Sequence, residues 1–256
     1  MSTQAVPQRF STTRWKTMAV LALLVALVEF VIATHFHRQK LEAETPHSIA
    51  EKFQTLYYES DIWRNTTWLG IGSQQTPGDN WTMQEVIYET QPDFIIETGT
   101  MFGGTTLFYA SVLSQVNSSG KVITIDVEPR TEGASKSPLW QRYVELIVGS
   151  SVDPKVTDHI AQEVRGKKVL VTLDSLHTRD HVLKEMEIYS QLVTPGSYLV
   201  VQDTNINGHP VFPGFGPGPA EAVQQFLRTH DNFAADHTRE KFMMTFYPGG
   251  WLKRTR

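Results

Sequence analysis

The chain has 256 residues, enough for one sizeable domain and an appendage. Apolar residues make up 40% and charged residues 20%, which excludes a disordered chain and a multi-pass membrane protein. With no cysteine and a formal net charge of −4, disulfide frameworks, thiolate metal sites and a cysteine nucleophile are ruled out, and nothing favours a nucleic-acid partner.

Arg9, Arg14 and Lys16 precede a run from Thr17 to Thr34, TMAVLALLVALVEFVIAT, that is apolar apart from Glu29 and the threonines at its ends. A bilayer is crossed by about 20 largely apolar residues, with roughly 17 as the lower limit, so a span over 17–36 is just long enough. Glu29 lies toward the carboxyl end, where a carboxylate reaches the headgroups. A cleaved signal peptide ending near Val31-Ile32-Ala33 and a buried helix of the globular domain are the competing readings. The basic flank and the polar segment around His35–Pro46 isolate the helix and favour an uncleaved membrane anchor. The chain then divides into a basic tail over 1–16, the span, a linker over 37–47 and a domain over 48–256.

From Ser48 onward helical and strand patterns alternate. Ser48–Tyr58 places Ile49, Phe53, Leu56 and Tyr57 at amphipathic spacing. A Gly/Gln/Pro-rich loop over Trp68–Asn80 is followed by a helix over Trp81–Thr90 and a short buried strand over Asp93–Glu97. Helices are expected over Thr105–Gln115, Pro154–Val164, His181–Leu192 and Ala220–Arg228. Further strands are expected over Lys121–Asp126, Tyr143–Val148, Lys168–Leu173 and Ser197–Gln202. The tail Phe242–Tyr247, Pro248-Gly249-Gly250 and Trp251-Leu252 reads as a closing antiparallel hairpin. This alternation predicts an α/β, Rossmann-like fold: a mostly parallel sheet with helices on both faces, plus the amino-terminal hydrophobic helix.

In such sheets ligands bind beyond the carboxyl ends of the strands. The first strand ends in Glu97-Thr98-Gly99-Thr100-Met101-Phe102-Gly103-Gly104. Its glycines permit a tight turn and close backbone approach, but the spacing is neither the dinucleotide fingerprint nor a P-loop. An acid before the first glycine repels phosphate and suits an amino group. Asp126 ends the second strand, where an acid commonly takes ribose hydroxyls. Together these favour a nucleoside ligand without a diphosphate, a description that fits S-adenosylmethionine. Ser150 and Ser151, after Gly149, form a small polar turn suited to an adenine pocket.

The fourth strand ends at Asp174, with His177 three residues on, and the fifth at Gln202-Asp203. Asp174, Gln202 and Asp203 make an oxygen-rich set that suits Mg²⁺, and His177 can stand on the same rim as a general base. Ordinary helix capping accounts for such strand-end residues one at a time. A zinc site from His177 and His181 has helical spacing but lacks the H-E-x-x-H pattern.

The run WLG at 68–70, P-x-D-x-W at 77–81, PDFIIETGTMFGGT at 92–105, LDSLH-x-x-x-HV at 173–182, QDT at 202–204 and TFYPGGWLKR at 245–254 resembles the cephalosporin hydroxylase/rhamnosyl O-methyltransferase family. The resemblance runs from about Ile49 to the carboxyl terminus. It implies a class I methyltransferase fold that binds S-adenosylmethionine and uses Mg²⁺. By the same resemblance Glu97 and Gly99 touch the methionine part of the cofactor, with Thr100 and Gly103 in the same turn. It also assigns Asp126 to the ribose and Asp174 and Asp203 to the metal. Two positions depart from the family's pattern: Gln202 stands where an acid is common, and Gln75 stands where a lysine is common.

The expected function is methyl transfer to a hydroxyl of a small molecule or glycolipid sugar, with Asp174 and His177 as catalytic residues. A hydroxylase-associated role and a non-catalytic, cofactor-binding role are the alternatives. Flanking basic residues lean toward a cytosolic amino terminus, whereas the cytosolic origin of the cofactor favours a cytosolic catalytic domain. The segment Val211–Pro219, with Trp68 and Trp81, reads equally as an acceptor pocket or as ordinary loop packing. The sequence does not define an oligomeric state.

Overall fold

The computed structural model describes residues 12–41 and 45–256. The expected basic tail over 1–11 and the middle of the expected linker, 42–44, lie outside them. Contacts divide the chain into two units, 1–48 and 49–256. In the first, helix α1 runs Thr12–Leu41. Within it Trp15–Thr34, 20 residues, is long and apolar enough to cross a membrane, and none of it is buried.

Helix α2 (Pro46–Glu59) leads into the second unit. There the strands β1 (Thr67–Trp68) and β2 (Ile71–Gly72) form a short antiparallel pair. Helix α3 (Pro77–Thr90) begins four residues earlier than the sequence pattern indicates. The Thr76 hydroxyl accepts from the Asp79 amide, and Pro77 stands in the first turn, where its missing N–H costs nothing. The chain continues as β3 (Phe94–Thr98), α4 (Gly104–Val116), β4 (Lys121–Asp126), α5 (Pro138–Tyr143), β5 (Val144–Val148), α6 (Pro154–Glu163) and β6 (Val169–Leu173). It ends with α7 (Arg179–Tyr189), β7 (Tyr198–Val201), α8 (Pro219–Phe226), β8 (Phe233–Ala235) and β9 (Trp251–Arg254).

Seven strands form one sheet in the order β5-β4-β3-β6-β7-β9-β8. The first five are parallel, and β9 is antiparallel to both β7 and β8. The period-two alternation of strand side chains supplies both faces with apolar residues. Ile96, Ile123, Val171 and Leu199 face Met186 and Tyr189 of α7 and Phe226 of α8. Their neighbours Ile95, Val122, Leu170 and Val200 face Val86 and Ile87 of α3 and Leu113 of α4. Each such fully buried side chain contributes about 1.5–3 kcal/mol.

The closing hairpin differs from expectation. Phe242–Tyr247 is not a strand, because a buried carboxylate uses its polar groups. Thr245 Oγ1 donates to Asp79 Oδ1 at 2.5 Å and the Phe246 amide donates to Asp79 Oδ2 at 2.9 Å. The strand that pairs with β9 at the sheet edge is instead β8.

From β3 the order runs one way to β4 and β5, while β6 lies on the other side. The carboxyl ends of β3 and β6 therefore flank the topological switch point, where open α/β sheets hold ligands.

Candidate active site

A cavity of about 650 Å³ opens at this switch point, within the size range of small-molecule sites. Its lining includes Gly99, Thr100, Asp126, Ser150, Ser151, Asp174, His177 and Asp203, drawn from the ends of five strands. Gly99 has φ +88°, and a Cβ there would lie 1.9 Å from the carbonyl oxygen of Asp174. The ends of β3 and β6 can thus touch only because this residue is glycine.

Asp126 braces the glycine turn. Its Oδ2 accepts the amides of Thr100 and Met101 at 2.9 and 2.8 Å, and its Oδ1 accepts the amide of Glu128 at 2.8 Å. A carboxylate offers about four lone-pair sites, so one remains for a ligand.

Glu97 lies beneath the turn, 1% exposed. Its Oε2 accepts the hydroxyls of Thr106 and Thr124 at 2.5 and 2.6 Å. Glu97 itself is not part of the cavity lining, so it acts on the turn from beneath. Burial pushes the carboxyl up to about 8, against the pull of the two threonine hydroxyls.

Asp174, His177 and Asp203 converge on one point. His177 Nε2 lies 3.2 Å from Asp174 Oδ1 and 3.2 Å from Asp203 Oδ2. Their ligand atoms all lie within 4.8 Å of one another. Burial opposes a charge on His177, but Asp203 and Asp174 outweigh it and raise the imidazole to about 9. Burial raises Asp174 to about 6, with the His177 hydrogen bond working against it, and raises Asp203 as well.

Besides Glu97, two expected site residues, Gln202 and Gly103, do not line the cavity. Gln202 is 1% exposed and does not line the cavity. Its Oε1 accepts from Gln75 Nε2 and Tyr247 OH, both at 2.7 Å, while its Nε2 donates to Thr172 Oγ1 at 2.8 Å and Tyr109 OH at 3.2 Å. With both ends of the amide occupied, Gln202 supports the site from behind and is not positioned as a metal ligand. Gly103 also stands away from the cavity. It has φ +82°, and a Cβ there would meet Trp140 at 2.7 Å, so it is glycine for packing and for the start of α4.

Gln75, noted in the sequence only as a departure, lines the cavity and donates to Asp174 Oδ2 at 3.3 Å. Tyr247 OH lies within hydrogen-bond distance of both Gln75 Oε1 and Gln202 Oε1, and its single proton serves one of them at a time. Tyr247 belongs to the TFYPGGWLKR motif, but its pairing with Gln75, 172 positions away, is not legible in the sequence. His181 lines the cavity too, but its Nε2 faces Ser175 Oγ at 3.1 Å, Ser151 Oγ at 3.4 Å and Glu185 Oε1 at 3.4 Å. It is thereby tied away from the Asp174 cluster, which holds one imidazole and two carboxylates. Among the described residues the group that gathers around His177 is Asp174 and Asp203, and it does not include His181. Trp68 packs edge-on against Phe108 at 4.9 Å and Trp81 lies exposed on α3; neither lines the cavity.

The profile of the rhamnosyl O-methyltransferase/CmcI family matches residues 60–255. A rhamnosyl O-methyltransferase of Mycobacterium tuberculosis is 37% identical over 241 residues, covering 90% of this chain and 93% of that one. One from Mycobacterium leprae is 38% identical over 213 residues, covering 81% and 91%. Among solved structures, CmcI with Mg and SAM aligns over 75% of this chain and 78% of its own at 16% identity and a TM-score of 0.59, which establishes a common fold. The chain belongs to the rhamnosyl O-methyltransferase/CmcI family.

Proposed function

We propose that the protein transfers the methyl group of S-adenosylmethionine to a hydroxyl of a rhamnose-type sugar, on a small molecule or glycolipid, with Mg²⁺ as cofactor. The observation that carries this reading is the Asp174–His177–Asp203 cluster opening onto the cavity beside the Gly99 turn. The names of the relatives supply the acceptor class, and the CmcI complex supplies the cofactor and metal.

The residues fit both groups. Two carboxylates suit a hard cation, so Asp174 and Asp203 would hold it. Such an ion, when bound, draws electron density from an acceptor hydroxyl and lowers its pKa. The imidazole of His177, on the same rim, accepts the hydroxyl proton. To do so it must be neutral, and the two carboxylates hold it protonated until a cation offsets their charge. Beside the cluster Gly99 would receive the methionine part, with Thr100 in the same turn and Glu97 buried beneath it. The remaining lone pair of Asp126 serves the ribose, and Ser150 and Ser151 the adenine. Helix α1 would tether the protein to a membrane, with the catalytic unit on the cytosolic side, where the cofactor is made.

The test is calorimetric titration of the full chain in lipid nanodiscs with S-adenosylmethionine and S-adenosylhomocysteine, with and without Mg²⁺, followed by methyl transfer to rhamnosides. Cofactor binding and transfer that depend on Asp174 are expected. A folded sample that binds neither cofactor form overturns the reading.

A further inference from the structure

Glu185 is a buried carboxylate that takes no part in the transfer mechanism. It sits on α7, fully buried, and its Oε2 is sealed with no hydrogen-bond partner among the described residues. Its Oε1 accepts the Ser175 hydroxyl at 2.7 Å and lies 3.4 Å from His181 Nε2. A carboxylate with one bare oxygen in the interior costs stability, and an apolar side chain of the same length would pack there without that penalty. Helix packing therefore gives no reason for an acid at this position.

The acid sets the direction of a chain of protons. An ionised carboxylate only accepts, so the single proton of Ser175 goes to Glu185. Ser175 Oγ can then only accept from His181 Nε2, 3.1 Å away, so that nitrogen carries a proton whichever charge the ring bears. A protonated Nε2 cannot accept from Ser151 Oγ, 3.4 Å away, and the Ser151 proton is left for a partner other than the imidazole. Ser151, Ser175 and His181 all line the cavity. Tyr189 follows His181 and Glu185 at i+4 spacing on the same face of α7, and its hydroxyl donates to the Ser151 carbonyl at 2.7 Å. One stripe of α7 thus holds both the backbone of the Ser151 turn and the proton order at its side chain.

We infer that Glu185 is a positioning residue that acts through Ser175 and His181 to keep the Ser151 hydroxyl a hydrogen-bond donor to the bound ligand. The group this donor serves is an acceptor, as the ring nitrogens of a purine are. The inference rests on the cavity's holding the cofactor's base at this turn.

The test uses the full chain in lipid nanodiscs and reads two things. Histidine-selective nitrogen-15 spectra, with His181 assigned by its loss in His181→Gln, show which ring nitrogen is protonated in the neutral ring. Wild type is expected to carry that proton on Nε2. A proton on Nδ1 overturns the inference, and this readout does not depend on any variant's stability. Glu185→Met then removes the acceptor at nearly constant volume. Its urea midpoint is expected to lie at or above that of wild type, while calorimetric affinity for S-adenosylhomocysteine falls about tenfold, the worth of one hydrogen bond. In a Ser151→Ala background the same substitution is expected to change affinity by less than about twofold, because the donor it orients is gone. An unchanged affinity in Glu185→Met, or an equal loss with and without the Ser151 hydroxyl, shows a packing role and overturns the inference. If the proton sits on Nε2 in wild type and leaves it in Glu185→Met, yet wild type does not bind S-adenosylhomocysteine, the proton order stands and the cofactor reading fails.

Discussion

Two carboxylate oxygens, one from Asp174 and one from Asp203, stand 3.2 Å from a single imidazole nitrogen, and their field keeps that imidazole charged up to about pH 9. A cation that takes these oxygens displaces the His177 proton and competes with protons at Asp174, which ionises near 6. Mg²⁺ affinity is therefore expected to rise with pH up to about 9, as measured by titration calorimetry across buffers. Replacing Asp174 by Ala is expected to lower methyl transfer by about three orders of magnitude, equivalent to several kcal/mol of charge stabilisation, in a protein that circular dichroism shows to be folded. Glu97 gives a separate signature. Its folded pKa, about 8, lies above the ordinary 4.5, so its contribution to stability is complete below 4.5 and is lost as pH rises through 8. An ammonium group that binds the carboxylate reverses that loss, so S-adenosylmethionine affinity should climb between pH 6 and 8 and flatten in Glu97→Gln. An affinity profile that is equally steep in the variant would remove Glu97 from the cofactor site. At this scale the strand ends Asp126, Asp174 and Asp203, with His177, come together on the cavity, whereas Glu97 stays beneath it. Gln202 and Gly103 were misplaced because sequence marks the end of a strand but not which side chains point into the cavity.

Among the elements, the segment before β9 shows how one buried group redirects local structure. Asp79, in the first turn of α3, accepts from the Thr76 and Thr245 hydroxyls and from the Phe246 amide, and it is 3% exposed. Burial raises its carboxyl to about 6. It fastens the carboxyl-terminal tail to α3 and brings Tyr247 to Gln75 and Gln202 behind the cavity. Replacing Asp79 by Ala leaves three donors without their acceptor and should cost about 2–4 kcal/mol in urea unfolding, with a further fall in cation affinity as the tail loosens. Unchanged cation affinity in that variant would show that the tail does not support the Asp174 cluster. The hairpin expected over Phe242–Tyr247 reads as a strand by composition. Its place was taken by β8, whose three residues are too few for periodicity to mark.

For the whole molecule, the switch point between β3 and β6 depends on a contact that admits no side chain. Gly99→Ala would force a Cβ into the Asp174 carbonyl at 1.9 Å, and a loss of at least about 3 kcal/mol is expected on unfolding. Ligands that bind only the folded unit should act in the opposite direction. S-adenosylhomocysteine at a hundredfold excess over its Kd should add about 2.7 kcal/mol, read as a rise in Tm. The amino-acid pattern alone determined the alternating elements, the apolar amino-terminal helix and the positions of Gly99, Asp126, Asp174, His177 and Asp203 at or just beyond the strand ends. Periodicity and strand-end chemistry are local properties, and they survive in a linear text. The tertiary structure alone decided that Gln75, Tyr247 and Gln202 form one buried hydrogen-bonded network, and that His181 belongs to Ser175 and Glu185 and not to the cluster beside it. Those partners are set by which strands become neighbours and which way each pleat turns its side chains, and neither is encoded by spacing along the chain.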